Sequence, residues 1–155
     1  MISHEYRHHD YRERFMMQGT IDDTAFLAVP RAVAFAEAMG GLRVIADHNH
    51  QLVAWAAHML ARRWGTEILV PTALCGSMAV VRCPFDAASP EEDLFSLVWD
   101  RFSLVVPVIP MPGMPGVWIR VSAQIYNERG HYEKLADAVL LLLAERCATA
   151  KPLAV

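Results

Sequence analysis

From Asp22 onward, apolar positions fall into helical and strand periods. In TIDDTAFLAVPRAVAFAEAMGG, Phe26, Val29, Val33 and Ala36 recur at helical spacing. Asp22, Asp23 and Thr24 are candidate N-caps. Pro30 predicts a kink or the start of a second helix, and Gly40-Gly41 predicts its end. A long helix is predicted over Leu42 to Trp64, with Ile45, Leu52, Ala56, Met59 and Leu60 on its apolar stripe and Gly65 just past its end. TEILVP and SMAVVRCP read as two short strands. SPEEDLFSLVWDRF opens like a helix: Ser89 fits the N-cap, Pro90 the first turn, and Glu92 completes a capping box. LVVPVIP reads as a strand whose prolines belong at an edge or a bulge. The turn loop MPGMPG leads into the strand VWIRVSAQIY. Asn127 is a candidate cap for a last helix that buries Tyr132, Leu135, Val139 and Leu142. The first residues, MISHEYRHHDYRERFMMQGT, have no clean period, and the tail ATAKPLAV is expected to fray. The order helix, helix, strand, strand, helix, strand, strand, helix predicts an α/β class (an α+β small domain): a small, mainly antiparallel sheet with helices on one face, preceded by a long helix.

Composition narrows the function classes. The 155 residues are 54% hydrophobic, which argues for a packed core rather than a disordered chain. Net charge is -3 and the basic residues are dispersed, so no nucleic-acid footprint is expected. No apolar run nears the ~20 residues that span a bilayer, and no secretory leader is legible, so no membrane role is expected. Cys75, Cys83 and Cys147 are an odd number without metal spacing and read as reduced thiols of a cytoplasmic protein. His4 and His8 are spaced as a zinc pair on a helix would be, but their stretch lacks a helical period and no third ligand completes a set, so no metal is assigned. DHNH, residues 47–50, falls on the long helix, with His48 expected outside and Asn49 partly buried. Ser77 and Ser122 have no histidine and acid at a triad spacing, and Cys75 reads as packing in a turn.

The strand around Arg120 is the informative one. Alternation puts Val117, Ile119, Val121, Ala123 and Ile125 on the core face and Trp118, Arg120, Ser122, Gln124 and Tyr126 on the other. An arginine there is either an ordinary side chain on a solvated face or an anion site. A guanidinium on a rigid strand presents a planar fork that matches a carboxylate, and no acid lies near it on its own face.

RVSAQIYN followed by YEKLADAV resembles the C-terminal end of the aminotransferase class V family, fold-type I pyridoxal-phosphate enzymes, in its isopenicillin N epimerase-like branch. ISHEY with FMMQGTIDDTAFLAVPRAVAF, then DHNH, RWGTEILVPTALCGSMAVVRCP and VVPVIP, are similar to the family in the same order over nearly the whole chain. The resemblance implies the C-terminal domain of such an enzyme, with pyridoxal phosphate as cofactor and an amino-acid-like substrate. It implies that Arg120 binds the substrate α-carboxylate, and that Gly19 and Thr20 contact the cofactor phosphate, usually across a dimer interface. It divides the chain into residues 1–40, an interface segment of the large domain, residues 41–150, the small domain, and the tail 151–155.

One departure matters as much. The family needs a lysine that holds the cofactor as a Schiff base. The chain has Lys134, on the last helix, and Lys151, in the tail, and neither follows a strand in a pocket-forming context. In the family that lysine lies before the segment matching ISHEY. The expectation is therefore the C-terminal part of a truncated or split enzyme, not itself able to bind the cofactor covalently and inactive alone. It would act with a second copy or a separate large-domain chain. The alternative is a non-catalytic interaction module derived from such an enzyme.

Overall fold

The computed structural model describes residues 22–85 and 91–149. Packing divides the chain into two units, Met1–Met39 and Gly40–Val155. The first contributes helix α1 (Thr24–Ala38). Its cap is Asp22, one residue before the N-cap position: the Asp22 carboxylate accepts the Thr24 backbone N–H at 2.9 Å and also the Thr24 hydroxyl. Those bonds hold the Asp22 carboxyl below its usual pKa. Pro30 lies within this single helix and does not start a second one. Phe26, Leu27, Val29, Val33 and Phe35 are exposed.

The second unit holds α2 (Leu42–Trp64), β1 (Met78–Arg82), α3 (Glu91–Phe102), β2 (Val108–Ile109), β3 (Trp118–Ser122) and α4 (Arg129–Thr149). Helix α2 has the predicted bounds. Its end is fixed by Gly65 in the left-handed region at φ 66°, a conformation glycine adopts without a Cβ clash. The three described strands form an antiparallel sheet in the order β1-β3-β2. Ala79 faces Val121 and Val81 faces Ile119 across β1 and β3, and Val108 faces Ile119 across β2 and β3. These residues, Val108 the least buried of them, pack against Val53, Ala56, Ala57 and Leu60 of α2 and Ala136 and Val139 of α4, forming one core. Every predicted core position of α4 is buried, namely Tyr132, Leu135, Val139 and Leu142. Along the stripe of α2, only Ile45, near its start, is incompletely covered.

Four expectations are corrected. TEILVP makes only one bridge, Ile68 to Val81, with N–H bonds from Leu69 to Val80 and from Arg82 to Glu67. Pro71 then leaves no N–H for the ladder to continue. LVVPVIP keeps just Val108–Ile109 as a strand, and it does lie at the sheet edge, where Pro107 and Pro110 lack donors the ladder does not need. Trp118 is not on an open face but 2% exposed. Its indole N–H donates to the Pro115 carbonyl at 3.2 Å. Gly116, between the two, sits at φ 90°, and a Cβ there would lie 2.6 Å from Arg82 Nε. Asn127 does not cap α4. Its side-chain oxygen accepts the Gln124 N–H at 2.9 Å, closing a turn before the helix. The capping box around Ser89, Pro90 and Glu92 lies outside the described residues or side chains.

Candidate functional site

Arg120 stands at the centre of the middle strand, opposite Val80 on β1, and its backbone N–H donates to Pro107 at 3.0 Å. Most of the remaining alternation holds: Val117, Ile119, Val121 and Ala123 are buried, while Ser122, Gln124 and Tyr126 are exposed, but the strand ends at Ser122 and Ile125, expected in the core, is half-buried in the following turn. Arg120 itself is half-buried. Its Nε is inaccessible to solvent and has no hydrogen-bond partner among the described residues. A buried donor without an acceptor is costly, which makes Arg120 the candidate for a partner from outside the described residues.

The side chain opens into a cavity of about 520 Å³ bounded by the 103–107 segment, β3, the turn before α4 and the first turn of α4. Each wall is set locally. Helix α3 ends at Ser103 in the left-handed region, φ 55°, with its N–H bonded back to Trp99 at 2.9 Å. The Leu104 N–H bonds back to the Val98 carbonyl at 3.4 Å, and the chain then passes Val106 to β2. On the other side, the closed Gln124–Asn127 turn presents Tyr126 and Asn127. The Tyr132 hydroxyl donates to the Ser122 carbonyl at 2.8 Å and ties α4 to the end of β3. Burial, with the neighbouring Tyr126, raises the Tyr132 pKa and keeps this donor protonated. At the start of α4, the Glu128 N–H donates to His131 Nδ1 at 3.2 Å. The neutral imidazole therefore carries its proton on Nε2.

The lining combines Arg120, the hydroxyls of Ser103, Ser122 and Tyr126, the His131 imidazole, and aliphatic walls from Leu104, Val106 and Leu135. No aspartate or glutamate is among the described residues that line it. Chemically it is a site for an anionic or acceptor group, anchored on one fixed positive charge. A second cavity, about 560 Å³, lies beyond the end of α2, but there the Arg82 guanidinium already donates to Glu67 at 3.4 Å.

The structure thus places Arg120 in a cavity. Gly19 and Thr20 lie outside the described residues, as do His4, His8 and Lys151. Lys134 is exposed on α4 and does not line the cavity. His48 is exposed and Asn49 is buried, with its side-chain N–H donating to Gln124 Oε1 at 3.3 Å. Cys75 is partly buried in its turn, near the Pro71 carbonyl, and the three cysteines are unpaired with one another. Among the described residues no single helix is long and apolar enough to cross a membrane. Sequence reading missed Ser103, Tyr126 and His131 as wall residues. For His131 a signal existed, since it stands where a helix start ordinarily uses Glu or Gln.

No family model matches the chain. A probable chloroplastic L-cysteine desulfhydrase of Arabidopsis thaliana is 32% identical over 132 residues, covering 78% of this chain and 28% of that protein. A putative L-cysteine desulfhydrase 1 of Oryza sativa subsp. japonica is 31% identical over 171 residues, covering 97% and 35%. Isopenicillin N epimerase of Amycolatopsis lactamdurans is 35% identical over 127 residues, covering 79% and 30%. The chain thus spans about a third of the length of the curated relatives it matches. With a small antiparallel sheet under helices and matches to desulfhydrases and epimerases alike, the chain belongs to the aminotransferase class V family of pyridoxal-phosphate proteins, in the branch of the isopenicillin N epimerases.

Proposed function

We propose that this chain supplies the C-terminal, substrate-facing portion of a class V enzyme acting on amino acids, and that Arg120 takes the substrate α-carboxylate. The observation that carries this reading is Arg120 itself, whose side chain lines a cavity with no acid among its described residues and whose buried Nε lacks a partner there. A carboxylate in the cavity would take two guanidinium N–H groups together, in the two-point geometry that Arg favours. Tyr132 and the Gln124–Asn127 turn hold the far wall, so the carboxylate meets a preformed site.

The described residues do not fit the cofactor itself. Neither a lysine nor an acid lines the cavity. Pyridoxal phosphate supplies the electron sink for chemistry at the amino-acid Cα, and groups outside the described residues would have to hold it. Lys134 points to no such role, being exposed on α4. In this reading the chain binds carboxylates through Arg120, and no lysine among the described residues is placed to hold the cofactor covalently. The exposed Phe26, Leu27 and Phe35 of α1 support a partner, either a second copy or a separate large-domain chain.

Calorimetric titration of the chain with an amino acid tests the anchor, and borohydride reduction in the presence of pyridoxal phosphate tests the lysine. Saturable binding that disappears in Arg120→Met, with no labelled lysine, is expected. Unchanged binding in Arg120→Met would remove Arg120 from the site. Stoichiometric labelling of Lys134 would show that the chain carries its own cofactor anchor.

A further inference from the structure

We infer that His131 is a second recognition point in the Arg120 cavity and that it tunes the site to ligands carrying an acceptor beyond the α-carboxylate, foremost a second carboxylate. The inference rests on the reading of Arg120 as the carboxylate anchor. It starts from the beginning of α4. Glu128 precedes the helix, and His131 is its third residue. In a capping box that third position holds Glu or Gln, whose side-chain oxygen accepts the N–H of the capping residue. Here the His131 Nδ1 does this at 3.2 Å. A glutamate would serve the same bond and would suit the positive end of the helix dipole. It would also place a carboxylate in a cavity where Arg120 is the one charged residue among the described lining.

The imidazole meets the helix requirement with one nitrogen and keeps the other as a donor. Because Nδ1 accepts, the neutral ring carries N–H at Nε2, so the donor is fixed rather than adaptable. His131 lines the cavity and remains exposed to solvent, so the group it meets is a ligand or water. One carboxylate fills the fork of Arg120. The other polar side chains of the described lining are His131, Asn127, the Tyr126 and Tyr132 hydroxyls and two serine hydroxyls, with no acid to receive an ammonium group. Asn127 Oδ1 and the Tyr132 hydroxyl are already engaged, with the Gln124 N–H and the Ser122 carbonyl. A second polar end of the ligand that meets His131 Nε2–H must accept a hydrogen bond. The cavity, about 520 Å³, is in the size class that holds ligands larger than a single carboxylate.

The test titrates the full chain with propionate and with glutarate, following amide and side-chain NMR shifts. Glutarate has two equivalent ends, so a factor of about two is statistical. One further hydrogen bond predicts a total preference of about 5- to 25-fold over propionate. In His131→Ala the preference falls to the statistical factor while propionate binding persists. In His131→Glu, which preserves the helix start, glutarate binds no tighter than propionate. A wild-type preference of about twofold, or one that survives both substitutions, overturns this inference and leaves the Arg120 reading standing. Failure of propionate to bind the wild-type chain overturns the Arg120 reading, and this inference with it. Arg120→Met is the control in which propionate binding is lost.

Discussion

Replacing Arg120 by methionine should make the isolated chain more stable while removing its ligand site. The substitution keeps an unbranched, apolar stem of similar reach against the same wall and deletes the guanidinium. In the native structure the Arg120 Nε is buried without an acceptor among the described residues. An unsatisfied buried donor costs about 1–3 kcal/mol. The remaining guanidinium nitrogens are not in that position, so the low end applies and Arg120→Met should gain about 1 kcal/mol. For a unit of this size that corresponds to about 3–5 °C in Tm. Urea unfolding followed by tryptophan fluorescence reads it, since Trp64 and Trp118 are buried and change environment on unfolding. The midpoint should rise with the slope unchanged, the signature of altered stability rather than altered compactness. Adding a carboxylate at about ten times its Kd should return about 1.4 kcal/mol to the wild type and nothing to the variant. A loss of 1 kcal/mol or more in Arg120→Met, without added ligand, would refute the reasoning. It would mean that the guanidinium is held by an internal acceptor and that its role is structural.

Other substitutions probe the scaffold around the cavity. Ser103 ends α3 at φ 55°, where a side chain is strained, so Ser103→Gly should stabilise the chain by about 1 kcal/mol in thermal unfolding. Destabilisation would show that the serine hydroxyl makes up for the strain. Burial pushes the Cys83 thiol from its ordinary 9.0 up to about 12, so the folded chain keeps a proton that the unfolded chain loses. Its contribution is intact below pH 9.0 and falls as pH rises towards 12, by about 1.4 kcal/mol per pH unit. Urea midpoints measured between pH 8 and 11 should decline more steeply for the wild type than for Cys83→Ala, and parallel declines would contradict the burial argument. Tyr132→Phe removes the bond to the Ser122 carbonyl and should cost about 1 kcal/mol. An unchanged midpoint would mean that α4 is held to β3 by packing alone.

Much of this architecture was legible because its causes are local. The left-handed glycine at 65 fixed the end of α2, and helical spacing alone sorted Tyr132, Leu135, Val139 and Leu142 to the core. Period-two alternation separated Ile119 and Val121 from Arg120 and Ser122. Trp118 escaped the same rule: it is buried with its indole N–H on the Pro115 carbonyl, and a pattern along one strand carries no information about what covers its outer face. TEILVP failed as a strand for a related reason: apolar alternation says that a segment suits a sheet, not that the neighbouring edge continues. The candidate site was half legible. Arg120 was visible as an arginine without a local acid. The walls around it were not, since Ser103, Tyr126 and His131 meet only through the packing of α3, the β3 turn and α4. Asn127 closes the turn before α4 instead of capping the helix, because a side chain that can close a turn competes with capping the next helix.

The most direct test of the central claim observes the Arg120 Nε–H itself. In a nitrogen-proton correlation spectrum of the chain, this resonance is identified by its loss in Arg120→Met and is followed while an amino acid is added. The account predicts a saturable shift of that signal as the carboxylate engages the guanidinium. A signal that stays fixed while the chain binds the amino acid would contradict it.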